Sequence, residues 1–430
     1  MQTTPKSFRL HIALFGRQNV GKSSVLNAIT RQQVSIVSDC AGTTTDPVEK
    51  PMEFLPLGPV IFIDTAGVDD TTSIGDLRIQ KTKQVFDRTD LGIIVTEANK
   101  WGNFEEQILQ ELLQRKLPAM VILNKIDICQ PTKEILERCA NLAPKIPVVE
   151  FSAKNILITA KQNIADHLTT ENSTIANLRD ALIRIVPDDF INTPSILQDV
   201  VKPNEYAILV TPIDKEAPKG RLILPEVQTI RDLLDGNAYC IVTQQHQLKT
   251  ALDALKIKPK IVITDSQCFK EVDAITPYDI WLTSFSILFS RFKGDLISQA
   301  KSAETIKILK PGDKILIAEA CSHHPIKDDI GREKIPRLLE KFVGGKLNFD
   351  IVQGLDFPED LAKYKLVIHC GACMFNRRLM LSRINYCNQL GVPITNYGLV
   401  IAYSLGIFTR ALEPFNRVCK IFCVNDYRVI

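Results

Sequence analysis

The chain has little of what marks a nucleic-acid binder, a membrane protein or a disulfide scaffold. Its 52 lysines and arginines stand against 49 aspartates and glutamates, a net charge of only +3. No long block of like charges occurs, so nucleic acid and anionic lipid surfaces are not expected partners. There is no clean bilayer span either. The long uncharged stretch from Ile384 to Thr409 is broken by Asn385, Asn388, Gln389, Pro393 and Asn396 and reads as a buried turn and helix. The first motif begins at Gly16, which leaves no room for a signal peptide and makes a cytoplasmic location the expectation. Eleven cysteines, an odd number scattered through the chain, point to metal or redox chemistry rather than a disulfide framework. What remains is a soluble globular composition, 45% hydrophobic and 23% charged. A length of 430 residues exceeds one ordinary core and is read as three domains.

The stretch RLHIALFGRQNVGKSSVLNAIT is an apolar strand, alternating from His11 to Phe15, that runs into Gly16-x-x-x-x-Gly21-Lys22-Ser23 and a helix. Glycines let the backbone form a nest of N–H groups, Lys22 reaches the outer phosphates, and the Ser23 hydroxyl can ligate magnesium. VIFIDTAG places Asp64 at a strand end, where a carboxylate can hold the magnesium shell, and Gly67 where a backbone N–H can sense the γ-phosphate. AMVILNKID ends a strand with Asn124, Lys125 and Asp127, and PVVEFSAK ends another with Ser152, Ala153 and Lys154. Asp127 can accept two hydrogen bonds from the guanine ring N–H and amino group, a donor pair that adenine lacks. The expected nucleotide is therefore GTP.

On these motifs the first 185 or so residues resemble the Era and TrmE branch of small GTPases. That resemblance implies that AGTTTDP is switch I, with Thr44, or Thr43 beside it, closing on magnesium, and that Ser24 joins the nucleotide-binding set. Where Ras-like enzymes carry a water-orienting Gln, this chain has Val68, so slow intrinsic hydrolysis is expected. Asn19 occupies the position where TrmE-like proteins hold a potassium ion, which implies potassium-stimulated hydrolysis.

After a linker near Asn192 to Lys202, the segment from EYAILVTPID to PKIVITDS reads as a small parallel unit with no catalytic constellation. Asp214, Lys215 and Glu216 read as a solvated turn, and self-association is the natural role for such a segment. Further on, DKILIAEACSHHP ends a strand with Cys321, His323 and His324, and YKLVIHCGAC ends another with His369, Cys370 and Cys373. Ligands of open parallel sheets collect outside the carboxyl ends of strands, so these donors can meet. Three thiolates and a borderline nitrogen suit an iron–sulfur cluster or a structural zinc, and a Cys-x-x-Cys redox pair is the third reading. Cys419 and Cys423, Cys240, Cys40, Cys129, Cys139, Cys268 and Cys387 are read as packed or incidental.

A TrmE-like GTPase followed by a small α/β segment and then Cys-x-His and His-Cys-x-x-Cys resembles the FeFe-hydrogenase maturation GTPase family, HydF. The resemblance implies an α/β chain in three parts: a Ras-like P-loop GTPase domain over 1–185, a small dimerisation domain over 200–272, and an iron–sulfur cluster-binding domain over 278–430. It implies a 4Fe-4S cluster on Cys321, Cys370 and Cys373, with His323 and His369 as fourth ligand or as donors behind the ligands. It also implies a homodimer that receives a transient di-iron precursor made with radical-SAM maturation enzymes and passes it to FeFe-hydrogenase. Its cofactors would be GTP, Mg2+ on Ser23, Thr44 and Asp64, K+ on Asn19, and the cluster. The rival expectation is a zinc-stabilised GTPase that binds ribosome or tRNA, against which the near-neutral charge speaks.

Overall fold

The computed structural model describes residues 4–30, 47–65, 82–142, 146–156, 173–187, 190, 194–213, 222–321, 329–415, 418 and 421. The chain divides into two compact units, Met1–Thr193 and Pro194–Ile430.

The first unit is built on a six-stranded sheet in the order β2-β3-β1-β4-β5-β6. Its strands are β1 (Leu10–Phe15), β2 (Val48–Phe54), β3 (Gly58–Asp64), β4 (Leu91–Glu97), β5 (Ala119–Asn124) and β6 (Val148–Glu150). Only β2 is antiparallel to its neighbour. β1 was expected to alternate, yet all its residues are buried. The cause is that both faces are covered. Leu10, Ile12 and Leu14 pack with Val25, Leu26 and Ile29 of α1 (Lys22–Thr30), while Ala13 and Phe15 pack with Ile108, Leu109 and Leu112 of α2 (Asn103–Gln114). A strand at the centre of a parallel sheet reads as a continuous apolar run for this reason.

The second unit holds two four-stranded parallel sheets. One has the order β10-β9-β7-β8, from β7 (Tyr206–Val210), β8 (Tyr239–Thr243), β9 (Ile261–Thr264) and β10 (Trp281–Ser284). The other has the order β12-β11-β13-β14, from β11 (Lys314–Glu319), β12 (Asn348–Gln353), β13 (Leu366–His369) and β14 (Ile394–Asn396). The sequence reading gave everything from 278 onward to the third domain, whereas β10 is the edge strand of the middle sheet. A strand of four residues is too short to announce which sheet it joins.

Several helices set the sites: α3 (Phe285–Lys293), α4 (Arg377–Gln389), α5 (Tyr397–Ser404) and α6 (Phe408–Leu412). The uncharged stretch from Ile384 is the end of α4, then β14 and α5, and among the described residues no helix is long and apolar enough to cross a membrane. The chain then returns to the middle sheet. Arg410 of α6 is buried, with Nη1 donating to the Asp273 carboxylate at 2.6 Å and Nη2 donating to the Thr276 and Pro277 carbonyls at 2.8 and 2.9 Å. Thr283 of β10 donates its hydroxyl to the Ala411 carbonyl at 3.0 Å. A guanidinium is suited to this because its rigid fork serves several acceptors at once.

Replacing Arg410 by Leu strands a carboxylate and two carbonyls, and is expected to destabilise the second unit by about 3 kcal/mol. Urea unfolding followed by the fluorescence of Trp281 checks this; an unchanged midpoint would show that α6 is not held by Arg410.

Candidate functional site

At the carboxyl edge of the first sheet, β1 lies between β3 and β4, the point where the strand order reverses. Two glycines there are required by close approach. A Cβ on Gly16, at φ +154°, would stand 2.2 Å from the Val95 carbonyl oxygen, and one on Gly21, at φ +93°, would stand 2.4 Å from Asn124 Nδ2. The loop between them bends through Asn19 at φ 61°. Lys22 Nζ donates to the carbonyls of Gly16 and Arg17 at 2.8 and 2.7 Å, holding the ammonium across the loop. The Ser23 hydroxyl donates to Asp64 Oδ2 at 2.5 Å, so the two oxygens expected to share magnesium already face each other.

The base-reading residues converge on the same loop. Asn124 Nδ2 donates to the Val20 carbonyl at 2.9 Å, and Asn124 Oδ1 accepts from the Ala153 N–H at 3.3 Å. Lys125 Nζ donates to the Asn19 carbonyl at 2.8 Å and to Glu97 at 2.5 Å. Ser152 donates its hydroxyl to Asp127 Oδ1 at 2.7 Å, which aims an otherwise exposed carboxylate. Ser24 and Lys154 lie at the same edge, Lys154 exposed. Thr43, Thr44, Gly67 and Val68 lie outside the described residues.

Sequence reasoning missed the support beneath this loop. Arg17 donates from Nε and Nη2 to Glu105 at 2.8 and 3.0 Å, and Glu105 is 0% exposed. The Gly102 N–H donates to the same carboxylate at 2.9 Å. Arg17 lies in the motif at a variable position, and Glu105, 88 residues away, belongs to no motif.

The second cluster lies in the second unit, where β11 is flanked by β12 on one side and β13 on the other. Cys321 follows β11 and Cys370 follows β13. The register pairs Ala318 with His369, and the Cys370 N–H continues the ladder by donating to the Ala318 carbonyl at 2.9 Å. Cys370 Sγ accepts from the Ala320 N–H at 3.1 Å. Cys373 completes a tight loop through Ala372, at φ 53°. Burial pushes the Cys321 thiol up to about 11, with Cys373 beside it adding to the shift. Cys370 is pushed up to about 12 by burial, with Cys373 and Cys321 both contributing. Burial also raises Cys373, opposed by the buried ammonium of Lys293 at the end of α3. Three thiols therefore lie within electrostatic reach of one another.

Among the described residues no three His, Cys, Asp or Glu side chains are closed around a point that could hold a metal ion. The donor chemistry nonetheless fits a soft centre, since Cys373 raises the cost of ionising both Cys321 and Cys370 and a cation removes that cost. His323 and His324 lie outside the described residues. His369 was expected as a fourth ligand or a donor behind the ligands, and its geometry excludes the first role in this conformation. Its Nδ1 donates to the Cys370 carbonyl at 2.9 Å, and its Nε2 accepts from Arg383 Nη1 at 3.0 Å. Both nitrogens are engaged and the ring is 0% exposed. Arg383 is itself clamped, 4.5 Å from the Phe357 ring centroid and 4.7 Å from that of Phe375, with Nη2 on the Gly354 carbonyl at 2.7 Å. Burial, with this guanidinium beside it, lowers His369 from 6.5 to about 3.

A sheet parallel except at its edge strand β2, feeding a Gly-x-x-x-x-Gly-Lys-Ser loop with an Asn-Lys-x-Asp strand end folded against it, defines a P-loop GTPase domain, here joined to a two-sheet α/β unit with a three-thiol edge. Residues 11–125 match the model of the 50S ribosome-binding GTPase family, residues 196–294 that of the hydrogen maturase F dimerization domain, and residues 298–414 that of the hydrogen maturase F tetramerization domain. The chain belongs to the hydrogen maturase F family. Its N-terminal part is 34% identical over 146 residues to the tRNA modification GTPase MnmE of Chromobacterium violaceum, covering 34% of this chain and 31% of that protein. It is 29% identical over 194 residues to the GTPase Der of Sulfurimonas denitrificans, covering 41% of this chain and 39% of that protein. The chain thus spans about a third of the length of these relatives. A solved structure of Era from Aquifex aeolicus bound to GDP.AlF4- aligns at 18% identity and a TM-score of 0.34, covering 62% of this chain and 97% of that one.

A histidine held neutral in the fold but free to protonate when unfolded contributes stability that is complete above about 6.5 and is lost as pH falls toward 3. Between pH 6.5 and 5 the loss is expected to be about 2 kcal/mol, at ~1.4 kcal/mol per pH unit. Hydrogen exchange of the β13 peptides at the two pH values measures it. His369→Gln, which cannot titrate, should remove that part of the slope; an identical slope would show that His369 is not the titrating group.

Proposed function

We propose that this chain is a GTP-hydrolysing scaffold that carries a 4Fe-4S cluster on Cys321, Cys370 and Cys373 and hands a di-iron precursor to FeFe-hydrogenase during its maturation. What supports this reading is that Cys321 and the Cys370–Cys373 loop follow the adjacent strands β11 and β13 at their carboxyl ends, in the part of the chain that matches the hydrogen maturase F tetramerization model. A carrier needs an open metal position whereas a structural staple does not. Three cysteinyl ligands on a four-iron cluster would leave one iron for an exchangeable ligand. His369 orients the Cys370 loop through its bond to the Cys370 carbonyl, with Arg383 fixing the ring from behind.

In the GTPase domain, Gly16 to Ser24 cradle the phosphates and Lys22 turns from its carbonyls to the outer phosphates. Ser23 and Asp64, joined by Thr44 of switch I, would hold Mg2+. Asp127, aimed by Ser152, selects guanine, with Asn124 and Ala153 tying the base pocket to the loop. Asn19 would hold K+, which would supply positive charge in place of an arginine finger, while Val68 cannot orient water, so intrinsic hydrolysis is slow and potassium-stimulated. GTP and GDP bias the switch segments and so control docking and release of the radical-SAM maturation enzymes and the hydrogenase. The middle segment joins two copies into a homodimer in the cytoplasm, in line with the dimerization and tetramerization models.

Anaerobically purified and reconstituted protein is expected to carry about four irons and four sulfides per chain, with a reduced-cluster EPR signal that Cys370→Ala and Cys373→Ala abolish. Stoichiometric zinc without iron would favour a translation-type GTPase with a zinc staple instead. GTP turnover in matched potassium and sodium buffers is expected to be at least about ten-fold faster in potassium, and Asn19→Ala should erase the difference. Equal rates in the two buffers would remove Asn19 from the site.

A further inference from the structure

One hydroxyl at the thiol edge is without a partner among the described residues. Ala318, His369 and Asn396 form the last row paired across β11, β13 and β14, so Glu319, Cys370 and Tyr397 follow as neighbours in the next row. Tyr397 opens α5, whose N-terminus is fixed by Asn396, a cap that accepts from the Gly398 N–H at 2.8 Å and from the Ser286 hydroxyl at 3.0 Å. Gly398 permits this approach, since a Cβ there would stand 2.9 Å from Ser284 Oγ. Among the described residues the buried Tyr397 hydroxyl has no hydrogen-bond partner. Gly331 makes room for it. A Cβ at that position would lie 2.1 Å from Tyr397 Oη and 3.1 Å from Glu319 Oε1.

The neighbouring acceptors are already taken or weak. Glu319 is 3% exposed, and Oε2 receives Arg332 Nη2 and Gln353 Nε2, each at 3.0 Å. Cys370 Sγ accepts from Ala320, and a neutral thiol is a poor second acceptor. An anionic sulfur is a much better one, because hydrogen bonds to ionised acceptors are the strong ones. Buried hydroxyls without partners are rare and call for an explanation.

We propose that Tyr397 is a positioning residue of the thiol centre, its hydroxyl donating a hydrogen bond to an anionic sulfur, cysteinyl or inorganic, once the site is loaded. This rests on the cluster reading of Cys321, Cys370 and Cys373. Burial, with Cys370 and Glu319 nearby, raises the phenol well above its ordinary range, so it remains a donor. Loading then supplies the acceptor that the protonated thiols withhold. Because the bond forms only with the added negative charge, it favours the reduced state of a bound cluster.

Tyr397→Phe deletes this donor and nothing else, and Gly331→Ala pushes it aside. Full-length wild type and both variants are reconstituted with iron and sulfide and titrated by EPR. At the wild-type midpoint potential, both variants are expected to show a reduced-to-oxidised ratio about five-fold lower, at equal iron content. The metal-free Tyr397→Phe protein should unfold at the wild-type temperature or higher. An unchanged ratio overturns the proposal, and so does a metal-free Tyr397→Phe protein that unfolds earlier, which would mark the hydroxyl as structural. If wild type takes up no iron, the cluster reading itself fails. Zinc(II) competition then tests Tyr397 separately: about five-fold weaker zinc retention in Tyr397→Phe supports its role and equal retention refutes it.

Discussion

The backbone N–H of Cys370 donates to the Ala318 carbonyl at 2.9 Å, carrying the β11–β13 ladder one step beyond its paired residues. That bond fixes where a thiol on one strand lies relative to a thiol 49 residues earlier in the chain, since 370 − 321 = 49. Parallel strands held in register must end at the same edge, so side chains at their carboxyl ends are neighbours whatever their separation in sequence. The same constraint operates in the first unit. Leu14 is paired with Asp64 on one side and Ile93 on the other, which brings the loop after β1, the carboxylate ending β3 and the edge beyond β4 into one place.

Arginine forks hold these edges still. Arg17 on Glu105, Arg332 on Glu319, Arg383 on His369 and Arg410 on Asp273 each set a guanidinium against an acceptor that is wholly or mostly buried. A buried ion pair or charged hydrogen bond of this kind adds little net stability over a well-packed apolar pair, but removing one partner is costly and the geometry permitted is narrow. Placed beside functional loops, such pairs restrict the loops to one arrangement. Arg383 shows this most directly: it is sandwiched between two aromatic rings, and its bond to His369 Nε2 leaves the imidazole one orientation, which in turn grips the Cys370 carbonyl.

The thiol centre combines that rigidity with unresolved charge chemistry. Its cysteines are neutral in a buried setting that resists ionisation, with a lysine ammonium and a tyrosine hydroxyl close by. Such an arrangement favours neither an exposed redox thiol nor a bare structural core. A cation bound there would offset the cost of ionising the thiols.

The sequence by itself determined the α/β class, the P-loop, the strands that end in its motifs, three of the four strands of the middle sheet, and the thiols at the ends of two strands. These are legible because they depend on local periodicity and on residues placed next to strand ends, such as Asp64, Asp127 and Cys321. It did not reveal that β10 closes the middle sheet, because a strand of only four residues carries no address. It read His369 as a possible ligand because His and Cys are adjacent in sequence, whereas only the packed structure shows both ring nitrogens already engaged. Glu105, Arg383 and Tyr397 were likewise invisible. Their roles depend on pairing across 88, 14 and more residues, and such pairing is decided by which strands lie side by side and which rings and helices fill the space between them.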